Sequence, residues 1–190
     1  MGAKKSILSA ERLDEYAELT YLTKWEVLLI LEKFERLVPR GIENDFNRRF
    51  SIEEIMDIFP QLKVLFRNHN PFRDRLFDVF SSQHDTRCSF EDVLDMFSVM
   101  SHNCPHQVKA IWAFRIFDCD NDNMITRDDI SAICDRLTNY NRLLEEEKES
   151  IAEVILNEID LQRNGSLAEF EFVRVILKIS EFHHTFSFRP

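Results

Sequence analysis

The stretch that decides the fold is Phe117-Asp118-Cys119-Asp120-Asn121-Asp122-Asn123-Met124-Ile125-Thr126-Arg127-Asp128-Asp129-Ile130. Acidic residues alternate at its start, and a carboxylate closes it at the twelfth place counted from Asp118. A hard divalent cation needs six or more oxygens converging on one point, and a twelve-residue loop supplies them from positions 1, 3, 5, 7, 9 and 12. Here those are Asp118, Asp120, Asp122, the carbonyl of Met124, Thr126 and Asp129. Carboxylates gathered so closely repel one another unless a cation joins them. Ile125, at position 8, is expected to pair with a neighbouring loop. Two positions depart from the usual pattern. Asn123 stands at position 6, where glycine is usual and asparagine is the next best tolerated at positive φ. Asp129 is one methylene shorter than the glutamate usual at position 12. A smaller oxygen shell suits Mg²⁺ better than Ca²⁺, so the loop is expected to bind Ca²⁺ and also to hold Mg²⁺.

Both flanks of this loop read as amphipathic helices. Val108, Ile111, Trp112, Phe114 and Phe117 precede it at helical spacing, and Ile130, Ile133, Cys134 and Leu137 follow it. The same helix–loop–helix unit recurs about every 40 residues. One unit runs from a wide apolar helix, Trp25–Val38, to a short helix near Ile52–Phe59. The next runs from Asn70-Pro71-Phe72, with proline in the first helical turn, to a helix carrying Val93, Leu94, Phe97 and Met100. The last pairs Glu145–Ile159 with Glu169–Ile179. The expected architecture is all-α: four such units in two lobes, with a C-terminal extension. The expected divisions are an N-terminal segment over 1–22, a first lobe over 23–103, a second over 104–180 and a tail over 181–190.

The other loops are poorer in charge. The fourth offers Asp160, Gln162, Asn164, Ser166 and Glu171, with Gly165 at position 6 and no side-chain ligand at Ala168. Two ligand carboxylates remain against four in the third loop, and each missing charge is worth about 4 kcal/mol gross at an effective dielectric of about 20. Weak or no binding is expected there. The second loop, Ser81–Asp92, keeps the frame without the charge, with Asp85 at position 5, Arg87 at 7 and Asp92 at 12. The first is long and contains Arg48 and Arg49, so both are expected to be ion-silent.

Composition narrows the function. Across 190 residues Asp and Glu outnumber Lys and Arg by 34 to 24, a formal charge of −10. That is the wrong sign for a nucleic-acid surface. Four single cysteines without a C-x-x-C offer neither an obvious disulfide framework nor a zinc site. No phosphate loop, H-E-x-x-H, G-x-S-x-G or nucleophile with its base is present, so catalysis is not expected. The longest apolar run, Val27–Leu31, is far short of the roughly 20 residues of a membrane span.

Taken together, these residues resemble the calcium- and integrin-binding protein family, an EF-hand family. The resemblance rests on EYAELTYLTKWEVL (Glu15–Leu28), NPFRDRLFDVFS (Asn70–Ser81), SFEDVLDMFSVMS (Ser89–Ser101), AFRIFDCDND (Ala113–Asp122) and FHHTFSFRP (Phe182–Pro190). It implies a non-enzymatic Ca²⁺/Mg²⁺ sensor that binds helical segments of membrane-protein cytoplasmic tails, integrin α among them. It also implies a hydrophobic groove that the C-terminal segment can occupy. A second reading open to the same family is a largely Ca²⁺-independent subunit of a mechanosensory channel complex with Mg²⁺ held constitutively. Gln162 departs from the acidic residue the family usually keeps at the third position of the fourth loop.

A helical ligand docks through apolar residues at i, i+3, i+4 and i+7. The expected groove lining is Trp25, Leu28, Met96, Phe97 and Met100 in the first lobe, and Trp112, Phe114, Ile133, Leu137, Ile151, Ile155, Val173 and Leu177 in the second. Phe182, Phe186 and Phe188 are expected to cover it when no partner is present. The start, Met1-Gly2-Ala3-Lys4-Lys5-Ser6, fits the pattern for N-myristoylation of Gly2. A single such chain anchors only reversibly. The expected place is therefore the cytoplasm and, peripherally, the inner face of the plasma membrane, reinforced by a partner.

Overall fold

Among the described residues, three loops end in the same capping arrangement, which starts the helix that follows. Residues 8–38, 48–64, 66, 69–139 and 143–182 are described by the computed structural model. The α-helices among them are α1 (Ala10–Leu19), α2 (Lys24–Phe34), α3 (Ile52–Ile58), α4 (Arg73–Phe80), α5 (Phe90–Met100), α6 (His106–Phe117), α7 (Arg127–Leu137), α8 (Glu145–Ile159) and α9 (Glu169–Ile176). Ser51, Ser89 and Thr126 stand before α3, α5 and α7, and each has its amide bonded by the acid three residues on: Glu54, Asp92 and Asp129. That reciprocal box satisfies amides that an open helix end leaves orphaned. Helix α1 was not expected. Ser9 caps it, but only Tyr16 along it is buried, so it has little apolar period to read.

The loops pair through two-residue strands. β1 (Phe50–Ser51) runs antiparallel to β2 (Arg87–Cys88), matching Phe50 with Cys88. β3 (Met124–Ile125) runs antiparallel to β4 (Leu167–Ala168), matching Ile125 with Leu167, the position-8 pairing expected of the third loop.

Two compact units result. The first comprises described residues 8–64 and 80–104, the second 66–79 and 105–182. In the first, Phe34 lies 5.2 Å from Phe50 and 5.4 Å from Phe90, and Phe59 lies 5.2 Å from Phe97. The Phe34 pairs are edge-to-face and the Phe59–Phe97 pair is tilted, contacts that favour a fixed aromatic core over a fluid one.

Residues 66–79, expected in the first lobe, belong to the second unit. Three contacts explain this. Phe72 meets Phe117 at 5.2 Å. Arg136 grips Asp74 with both guanidinium nitrogens (2.6 and 2.9 Å). Arg75 is buried against the end of α6. None of these partnerships is visible in a helical period.

Candidate metal centre

The third loop begins where α6 stops. Asp118 is the C-cap of α6 and is buried, its oxygens accepting the amides of Asp122 (3.2 Å) and Asn123 (3.0 Å). Asp129 is buried at the start of α7 and accepts the amides of Cys119 and Thr126, each at 2.8 Å, and the Thr126 hydroxyl at 2.8 Å. Asp120 is exposed, and an oxygen from each of Asp118, Asp120 and Asp129 lies within 4.8 Å of the others. Asp122, the fourth expected carboxylate, instead accepts the amide of Met124 at 2.8 Å and is not drawn into that cluster. Asn121 (φ +61°) and Asn123 (φ +67°) occupy the left-handed region that lets the loop close.

The electrostatics fit a cation. Burial pushes the Asp118 carboxyl up, the two amides pull it down, and the charges of Asp129 and Asp122 push it up again. A buried carboxylate that resists ionising beside two others is the condition a divalent ion relieves. Asp118, Asp120 and Asp129 would hold it, with Asp122, the Met124 carbonyl and Thr126 as further oxygens.

In the fourth loop Glu171 is fully buried and accepts the amides of Leu161 (2.8 Å), Gln162 (3.2 Å) and Ala168 (2.9 Å). Asp160 accepts the amide of Gly165 at 2.7 Å, and its other oxygen is buried without a hydrogen-bond partner. Asn164 accepts the amide (3.1 Å) and hydroxyl (3.0 Å) of Ser166, while the Gln162 side chain stands in solvent. The frame is intact; the charge is what it lacks.

Sequence reasoning missed Arg75. It is 6% exposed and donates to the carbonyls of Arg115 (2.8 Å), Ile116 (3.5 Å) and Asp118, to Asn121 Oδ1 (2.9 Å) and to Asp78 (2.9 Å). It therefore caps the carbonyl end of α6 and ties down the first turn of the metal loop.

The groove expectation needs correction. Met96, Phe97 and Met100 are each 0% exposed and sit in the core of the first unit rather than lining a surface. Phe114 and Val173 are likewise buried in the clusters of the second unit. Their helices are apolar on more than one face, so period alone does not tell core from rim. Trp25, Leu28, Leu137 and Ile151 are exposed, and Trp112 is half-buried with the Arg115 guanidinium over its ring. Leu177 packs beside Val173, Ala110, Ala113 and Phe182.

An apolar trough of about 240 Å³ does exist in the second unit, lined by Phe117, Ile125, Ile130, Ile133, Ile155, Ile159, Leu167, Phe172, Val175 and Ile176. Of the expected lining, Ile133 and Ile155 reach it. Phe186 and Phe188 of the tail and Gly2 lie outside the described residues. No helix among the described residues is long and apolar enough to cross a membrane.

Residues 107–177 match the family model of the EF-hand domain pair. The whole chain is 32% identical over 189 residues to calcium and integrin-binding family member 2 of Mus musculus, covering 100% of both chains. Member 3 of Homo sapiens is 32% identical over 192 residues and member 2 of Drosophila melanogaster 33% identical over 194, again covering 100% of each.

Proposed function

The chain belongs to the calcium and integrin-binding protein family, and from that premise we propose that it is a Ca²⁺/Mg²⁺-responsive adaptor for helical segments of membrane-protein cytoplasmic tails, such as those of integrin α subunits. At the level of the family it is a calcium-binding regulatory protein rather than an enzyme. The finer reading rests on one observation. Ile125 and Ile130 belong to the third hand, flanking the buried ligand Asp129, and both also line the apolar trough. A cation that draws Asp118, Asp120 and Asp129 together therefore acts on two walls of the surface a partner would use. Mg²⁺ suits the short carboxylate at position 12 and keeps the loop closed when Ca²⁺ is low.

The trough accepts the apolar face of an amphipathic helix, whose anchors recur at i, i+3, i+4 and i+7. Ile155→Asp places a charge on its wall. Calorimetry with a peptide of integrin α cytoplasmic sequence is expected to show at least a roughly tenfold loss of affinity, with Ca²⁺ titration of the same variant unchanged. Undiminished peptide affinity would remove the trough as the docking site.

Membrane attachment is part of this proposal and rests on sequence alone. The Gly2 acyl chain and the Lys4–Lys5 pair give reversible binding to an anionic surface, at the cytoplasmic face where such tails end. Gly2→Ala is expected to abolish sedimentation of the acylated protein with phosphatidylserine vesicles; retained sedimentation would exclude the lipid anchor.

A further inference from the structure

The second loop, Ser81–Asp92, has the backbone of a cation-holding loop. Asp92 at position 12 accepts the amides of positions 2 and 9, Ser82 (3.2 Å) and Ser89 (2.8 Å). Asp129 and Glu171 do the same in their own loops. Asp85 at position 5 accepts the amide of position 7 at 3.0 Å, as Asp122 and Asn164 do. Positions 4 and 6 are left-handed in all three loops, here at His84 (φ +52°) and Thr86 (φ +59°). A β-branched residue seldom adopts that conformation. Local preference does not hold this loop in shape, so something else must.

That something is a side chain from the neighbouring loop. Arg49 directly precedes Phe50, which pairs with Cys88 across the strands, and its guanidinium enters the second loop. One terminal nitrogen donates to Ser81 Oγ (3.0 Å), to Asp85 Oδ1 (2.9 Å) and to the carbonyl of Arg87 (2.6 Å). The other reaches Ser82 Oγ at 3.0 Å and Asp92 Oδ2 at 3.1 Å, and Nε donates to Asp85 Oδ2 at 3.2 Å. Its partners at positions 1, 5, 7 and 12 are the positions from which such a loop supplies oxygens to a metal. The side chain is 11% exposed and that of Asp92 5%. A planar fork with five donors suits several oxygens at once.

We infer that Arg49 is the resident cation of the second loop, standing where the third loop would hold a metal ion, and that its removal turns the second loop into a site for a small exogenous cation. The first unit thereby holds one hand in the ion-bound shape at every Ca²⁺ level. One guanidinium faces the carboxylates of Asp85 and Asp92 and offsets one of their two charges, where a divalent ion would offset both. The inference is independent of the trough and its partner.

The test uses the full chain in an Asp118→Asn background, which weakens the response of the third loop. Arg49→Ala is expected to lower the thermal midpoint by roughly 6–12 °C. Millimolar methylguanidinium, and separately millimolar Ca²⁺, are expected to restore most of that loss. Neither is expected to restore it when Asp92→Asn is added. A midpoint equal to that of the parent, or a loss that neither cation changes, would overturn the assignment. Arg49→Lys keeps the charge without the fork and is expected to fall between parent and Arg49→Ala. Should the alanine variant fail to fold, a folded lysine variant upholds the assignment and an unfolded one overturns it.

Discussion

Asp118→Asn is expected to weaken Ca²⁺ binding by at least about 100-fold while raising the thermal midpoint of the metal-free protein by roughly 2–4 °C. Both effects follow from the same burial. Asp118 is 4% exposed and lies beside the carboxylates of Asp120 and Asp129, so its charge is costly without a cation. Its pKa in the folded chain is raised above the ordinary 3.8, chiefly by burial. The native state therefore retains a proton that the unfolded chain gives up. The contribution of this group to stability is present in full below pH 3.8 and is lost as pH rises through the raised folded value. Asparagine removes that penalty at neutral pH and keeps an oxygen for one of the two amides, of Asp122 and Asn123, that Asp118 accepts on separate oxygens. Paired calorimetric titrations and thermal scans of metal-free wild type and variant check both halves. A variant that keeps wild-type Ca²⁺ affinity would mean that the strong site lies elsewhere.

Arg75→Met is the second large effect. The arginine is buried, paired with Asp78, and supplies donors to carbonyls at the end of α6 that have no helical partner of their own. Methionine matches much of the stem and none of the donors. Leaving the carbonyls of Arg115, Ile116 and Asp118 without their donor costs about 3–5 kcal/mol in all, at about 1–3 kcal/mol for each unsatisfied buried group. Urea unfolding of the metal-free chain is expected to show a loss of that size. Ca²⁺ affinity is expected to fall about tenfold as well, as support shells around metal ligands typically carry effects of 10–100-fold. The Asn121 side chain and the Asp118 carbonyl lose their anchor in this variant. Arg75→Lys should recover little, since a single ammonium cannot span the carbonyls of Arg115 and Asp118, Asn121 and Asp78 together. A change in stability below about 1 kcal/mol would make the contact incidental.

The metal loop was legible in the sequence because its oxygens are fixed by short-range spacing. Twelve consecutive residues carry the argument, and the pairing of Ile125 with Leu167 follows from their shared position in two loops. The all-α plan was legible for a similar reason, since the helices after α1 show an apolar period of their own. What spacing cannot carry are partnerships between distant residues. Arg75 meets a loop more than 40 positions away, and Arg49 meets one more than 30 away. Read locally, Arg49 in the first loop argued only against a cation there. Its real neighbours are the oxygens of the second loop, and the clue was an arginine just before the strand residue of one loop with carboxylates at positions 5 and 12 of the next. Apolar supply misled in the opposite direction. Met96, Phe97 and Met100 have the character of groove residues, and the fold spends them on its core. Ile159 and Phe172 line the trough instead, together with Ile125 and Ile130, which are themselves buried, and nothing in their spacing marks them for it.

The coupling of the third loop to the trough is tested most directly by calorimetric titration of an integrin α tail peptide into the full-length protein at saturating Mg²⁺, with and without Ca²⁺, beside Asp118→Asn. The account predicts at least about tenfold tighter peptide binding with Ca²⁺ and loss of that difference in the variant. Equal affinity under both conditions in the wild type would contradict it, and the protein would then be a constitutive adaptor whose third loop serves the fold alone.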